Sequence, residues 1–255
     1  MLVKILAISR ITFLEALRNR SLNMVVVFAL VVLASIIFFT HLSPGEEAKF
    51  ILDFGLNSLL LFGALITVFL FSLMIPGEVA DKTIQPIMAL PKMRNIYYYG
   101  KYLGGSLVIL VNTILMSVVF LVLFKLKGGA ITTAILSQIF LTFLELEILG
   151  AIALLFSCFS SVSFNISVTF LIFFIGHMQR LIGEVLQDAV GALLRYAGVI
   201  FATILPNLEN FDARSSVIHG TEISFKYLAS NTSYAVLYAA LVLFIGKLIF
   251  EKKEF

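Results

Sequence analysis

Leu56–Ile75 reads LNSLLLFGALITVFLFSLMI, twenty residues without a single charge. At 1.5 Å per residue a helix of that length covers ~30 Å, the thickness of a bilayer's hydrocarbon core. Polar residues do not alternate along it, which excludes a barrel strand, and an open strand would leave backbone groups unpaired in lipid. The stretch therefore predicts a membrane-spanning helix. Five more apolar runs lie around it: Leu22–Thr40, Tyr102–Phe124, Ile131–Ser157, Phe164–Met178 and Tyr234–Phe250. Composition agrees. Hydrophobic residues make up 60% of the 255 and charged residues 13%, with a mean hydropathy of +1.06. A soluble domain sits near half apolar and a quarter charged, and a chain of this size has too little interior to hide the excess. The prediction is an all-α, polytopic membrane protein with six transmembrane helices, one transmembrane domain over residues 1–255.

Three segments lie outside these runs. Residues 1–20 predict an amphipathic interfacial helix, with Leu2, Ile5, Leu6, Phe13 and Leu17 on one face and Lys4, Glu15 and Arg18 mostly elsewhere. They lack the short apolar block ending at small residues that marks a cleaved signal peptide. Residues 76–101, between spans two and three, form the largest loop. It carries Glu78, Asp81 and Lys82, the apolar stretch Ile84–Leu90, then Lys92, Arg94 and three consecutive tyrosines. Charge mixed with exposed apolar and aromatic groups is the composition of a docking surface. Residues 179–230 follow span five. Leu181, Ile182, Val185, Leu186, Ala189, Val190 and Leu193 recur there at helical spacing, which predicts a re-entrant pair of helices, with a seventh crossing as the alternative.

Charge sets the orientation. Lys4, Arg10, Arg18, Arg20, Lys82, Lys92, Arg94, Lys101, Lys247, Lys252 and Lys253 fall on one side of the predicted membrane. Lys49, Lys125, Lys127, Arg180, Arg195, Arg214 and Lys226 fall on the other. The excess predicts that the first side is cytoplasmic and that both termini lie there. A net charge of +3 points to no nucleic-acid partner.

Glu145 and Glu147 are the residues most out of place, two acids near the middle of span four. Two positions apart on a helix, they point about 200° away from each other and cannot form one paired site. They read as a proton or cation site, as a polar lining of a path, or as hydrogen-bonded acids that lock packing. Gly100 and Gly104 open span three at a spacing that permits close helix approach. Asn57, Asn112 and Asn165 read as interhelical hydrogen-bonding groups. A single cysteine, Cys158, excludes an intrachain disulfide framework, and His41, His177 and His219 are too scattered to predict a metal site. No G-x-x-x-x-G-K-[ST] loop occurs, so ATP hydrolysis by that mechanism is excluded from this chain. Neither H-E-x-x-H nor G-x-S-x-G is found, and no catalytic residue is predicted.

The order of these features resembles the ABC-2 class of ABC-transporter permeases. The words within it are more specific. PGEVADKTIQPIMALPKMRNIYYYGKYLGG (Pro76 to Gly105) is similar to that family's first cytoplasmic loop: an acid, a Lys-Thr step, a proline turn, a basic residue, then Gly-Lys entering span three. LELEILGAIALLFSCFSS (Leu144 to Ser161) and LPNLENFDARSSVIHG (Leu205 to Gly220) resemble the subgroup containing the permease for nitrous-oxide-reductase copper-site maturation, and IFEKKEF (Ile249 to Phe255) the family's basic tail. The resemblance implies a bacterial or archaeal cytoplasmic membrane, a second copy of the permease, and a separate ABC ATPase subunit that carries the ATP and Mg. It makes Glu78, Asp81, Lys82, Lys92 and Arg94 the ATPase-docking residues of a coupling helix. The external segment, with Asn207, Glu209, Asp212 and Arg214, is where a periplasmic partner would bind. Export or force transmission would follow. A carrier or channel working through Glu145 and Glu147 is the alternative.

Overall fold

The computed structural model describes residues 2–18, 27–28, 30–35, 38, 47–82, 91–181 and 204–253. They form α1 (Leu2–Arg18), α2 (Glu47–Ala80), α3 (Pro91–Leu126), α4 (Thr133–Ser157), α5 (Val162–His177), α6 (Arg214–Ile218) and α7 (Phe225–Lys252). A 3₁₀ turn covers Glu209–Phe211, and the residues described between 27 and 38 are helical. No strand occurs among the described residues. Among the described residues, four helices are long and apolar enough to cross a membrane: Lys49–Ala80, Met93–Leu126, Thr133–Ser157 and Phe225–Lys252. The chain is a multi-pass helical membrane protein. The 16 residues of α5 reach about 24 Å, short of the hydrocarbon thickness. Most of the predicted first span and residues 182–203 of the predicted re-entrant segment lie outside the described residues.

The helix ends correct the loop boundaries. Residues 76–101 are expected as a loop, yet α2 runs through Pro76 to Ala80 and α3 begins at Pro91. Charges mark where hydrocarbon ends, not where the helix does, because long polar side chains reach the interface from a helix that continues. Pro91 suits a first helical turn, where its missing N–H costs nothing. Lys82 closes α2 in the left-handed region at φ 57°, its amide bonded to the Val79 carbonyl. The apolar stretch Ile84–Leu90 lies outside the described residues, and so does the side chain of Lys92.

Successive helices alternate in direction. The start of α3 meets α1, the end of α2 and the end of α7: Lys101 pairs with Glu15 and Glu78, and Arg94 donates to the Glu251 and Lys253 carbonyls. Lys253 in turn donates to the Cys158 carbonyl just past α4. This end is called the α1 face. At the opposite face, residues 204–220 cover the end of α5 and the start of α7. Leu208 N–H bonds the Gly176 carbonyl, and Tyr227 donates to the Asn210 carbonyl. The core between the faces centres on α4, whose buried side chains occupy all sides of the helix. A second cluster joins Phe28 and Val32 to Leu56, Leu59, Met116 and Phe120.

Candidate functional site

Among the described residues, two places gather polar chemistry: the seam under α1 and the buried acids of α4 beneath the 204–220 segment.

At the seam, α1 packs through a narrow stripe of Ile8, Ser9, Thr12 and Ala16, not through all its larger apolar residues; Leu6 is 64% exposed. The fit depends on Gly100 and Gly104. A Cβ at Gly104 would stand 2.6 Å from Thr12 Cβ, and one at Gly100 would stand 2.8 Å from Ile8 Cβ. Between these glycines, the buried Lys101 bonds Glu78 and lies 3.9 Å from Glu15, tying all three helices together. Tyr97 donates to the other oxygen of Glu78, and the Lys101 ammonium sits 5.6 Å from the Tyr97 ring centre. A cavity of about 460 Å³ opens beside this cluster. Its apolar wall comes from Leu65, Phe69 and Leu73 of α2, and its polar end from Glu15, Glu78, Asp81 and Lys101.

The two acids separate as the helical arithmetic requires. Glu147 faces α3, where it accepts hydrogen bonds from Tyr102 and Ser106, each at 2.8 Å. Both oxygens are satisfied, and the group clamps α4 to α3. Glu145 faces α5. Its Oε1 lies 3.2 Å from His177 Nε2, and its side chain is 3% exposed. Neither atom has another hydrogen-bond partner among the described residues.

Above Glu145 the 204–220 segment is latched into the bundle. Buried Gln138 donates to the Phe211 carbonyl at 3.2 Å and accepts from the Ala213 amide at 2.8 Å. Asn207 N–H bonds the Tyr234 hydroxyl, and Asn231 donates to the Asn210 carbonyl. Asp212 and Arg214 pair with each other, while Glu209 pairs with Arg180 at 3.0 Å. Burial alone would raise the Asp212 carboxyl. Hydrogen bonds from the Arg214 side chain and amide outweigh it and hold the group below its ordinary value. The same hydrogen bond, against desolvation, lifts Arg214 above its ordinary range.

No protein-family model matches this chain, and a comparison with curated proteins finds no match either.

The sequence-predicted residues fall into three groups. Glu78 and Arg94 are engaged inside the chain, the first in the seam and the second at the end of α7, whereas Asp81 and Lys82 are exposed at the tip of α2. Asn207, Glu209, Asp212 and Arg214 hold the 204–220 segment in place. Glu145 and Glu147 are both buried, with different partners. Sequence reasoning gave Lys101 no role beyond its charge and gave none to Tyr102, Ser106 or Gln138. Tyr102 and Ser106, four apart on α3, carried a usable signal, two hydroxyls on one helix stripe. For His177 the sequence offers only its distance from the other histidines, because nothing local ties it to a residue 32 positions earlier. Among the described residues, no group of His, Cys, Asp and Glu is arranged to hold a metal ion.

Proposed function

We propose that this chain is the membrane-spanning permease subunit of an ABC transporter of the ABC-2 class, coupling ATP hydrolysis on a separate subunit to export or transmembrane force. The seam under α1 is the observation that carries this reading. Lys101, Glu15 and Glu78, with the glycine contacts, join α1, the end of α2 and the start of α3. Residues 83–90 join those two helix ends in sequence. A push on that connection would be delivered to α2 and α3 together, which is the mechanical property a coupling loop requires. Only a partner that interacts differently with two arrangements of these helices can drive such a motion.

The α1 face is the cytoplasmic one in this reading, since it carries most of the Lys and Arg. On that face the exposed Asp81 and Lys82 are the charges offered to an ATPase, whereas Glu78 and Arg94 keep the platform rigid. The wider reading has two permease copies paired in a bacterial or archaeal cytoplasmic membrane, with a periplasmic partner on the opposite face. The carrier alternative loses Glu147, whose oxygens are taken up by packing, and keeps Glu145.

Reversal of Asp81, Lys82 and Lys92 together tests the reading. The variant is expected to insert and to keep its helix content while losing ATPase subunit from the purified complex. Unchanged complex yield together with unchanged coupling of ATPase activity would refute it.

A further inference from the structure

We propose that Glu145 and His177 form a proton-binding site, and that its occupancy controls how firmly the 204–220 segment is seated. The site does not depend on the permease reading, because it is argued from a different part of the molecule.

Hydrogen-bond chemistry fixes the proton count. His177 Nδ1 lies 3.0 Å from the Phe173 carbonyl, which can only accept, so Nδ1 carries a hydrogen. In a neutral ring Nε2 is then a bare acceptor. It faces Glu145 Oε1 at 3.2 Å, and a carboxylate oxygen is an acceptor too. Two lone pairs cannot be held against each other in a dry site without cost. One proton between them removes the conflict, either on Glu145 donating to Nε2 or on His177 donating to Oε1. With one proton the pair carries no net charge. With none, a carboxylate is left buried beside an acceptor.

A route and a consequence follow. The His177 side chain is 20% exposed against 3% for Glu145, so the pair exchanges with its surroundings from the His177 side, while Nε2 and Oε1 themselves are buried and pass the proton between them. The charged groups around the pair belong to the segment above it: Asp212 and Arg214 act on both residues, and Glu209 acts on His177. Asp53 of α2 reaches the site through its field on Arg214, while Glu147 on α4 points to α3 instead. Arg214 is bound to Asp212. Loss of the proton gives Glu145 a charge that competes with Asp212 for Arg214, and Asp212 is part of the turn that Gln138 latches. Release of the proton therefore loosens the segment, and uptake seats it.

The test uses full-length protein in lipid vesicles. A Val217→Cys probe in a Cys158→Ala background reports seating, because Val217 is buried against the bundle when α6 is in place. Its labelling by a thiol reagent is expected to rise about fivefold or more on moving from the protonated to the deprotonated pair, the lower range for linked sites. Glu145→Gln, which donates permanently to Nε2, should label slowly at every pH. Infrared difference spectra between the same pH values should show a carboxylic-acid band that Glu145→Gln removes. If Glu145→Gln fails to insert, His177→Gln serves: its amide donates to the Glu145 carboxylate, and the rise in labelling should move to lower pH. Labelling that follows pH identically in wild type and variant, or an unchanged carboxyl band, would overturn the proposal.

Discussion

Lys101 Nζ lies 3.9 Å from Glu15 Oε2 across the seam between α1 and α3, and the same ammonium bonds Glu78 of α2. The lysine side chain is 5% exposed and the Glu78 side chain 18%, so removing the lysine leaves a half-buried Glu78 with Tyr97 but without that cation. Breaking a buried pair by deleting one partner costs about 3–5 kcal/mol. Lys101→Met should lower stability in detergent by that order, and hydrogen exchange should show α1 losing protection first. Uniform loss of protection along the chain would mean that the lysine does not anchor α1 in particular.

Gly104 gives a steric test of the same seam. A methyl there would stand 2.6 Å from Thr12 Cβ and 2.8 Å from the Ser9 carbonyl. Overpacking of this kind typically costs about 1–3 kcal/mol. Gly104→Ala should therefore destabilise the protein and free α1 for proteolysis. Gly77→Ala, where nothing lies within 4 Å of the new carbon, serves as the control and should not free α1.

The Glu147 clamp predicts a measurable coupling between helices. Tyr102→Phe removes the donor and Glu147→Leu the acceptor of a 2.8 Å bond. Polar contacts between membrane helices average about 0.6 kcal/mol in double-mutant cycles and reach about 1.7. The cycle for this pair should fall in that range, while Tyr102 with Glu145 should show none. Coupling of Tyr102 to Glu145 would place the acids on the wrong sides of α4.

How much of this was legible beforehand depends on the range of the signal. Four of the six predicted spans were readable because each apolar run declares itself locally, and the divergence of Glu145 and Glu147 follows from 100° per residue. Helix ends were misread at Pro76 and Pro91, because charge reports the membrane boundary and helices outrun it. The Glu145–His177 pair and the Gln138 latch were invisible. They join residues 32 and 73 positions or more apart, and only tertiary packing brings such groups together. Arg94, a cation expected to meet a partner, donates to the chain's own Glu251 and Lys253 carbonyls, a contact with residues 157 and 159 positions away that no local pattern announces.

Asp212 supplies a pH prediction with a definite sign. Its carboxyl is held below the ordinary value, chiefly by Arg214 overcoming burial. A depressed acid stabilises the fold above its unfolded value of about 3.9, and the contribution fades as pH falls through the lower folded value. The stability gap between wild type and Asp212→Asn should be constant near neutrality and close only in strong acid. A gap that closes between pH 5 and 7 would contradict the assignment to Asp212.

The most direct measurement is purification of the tagged protein from native membranes in mild detergent, with mass spectrometry of the subunits that accompany it. A permease of the ABC-2 class should bring down, in fixed ratio, a soluble subunit bearing a G-x-x-x-x-G-K-[ST] phosphate loop, and that subunit should be lost from the Asp81, Lys82 and Lys92 reversal variant. A stable complex without any such subunit, under conditions that keep other ABC complexes whole, would contradict the account.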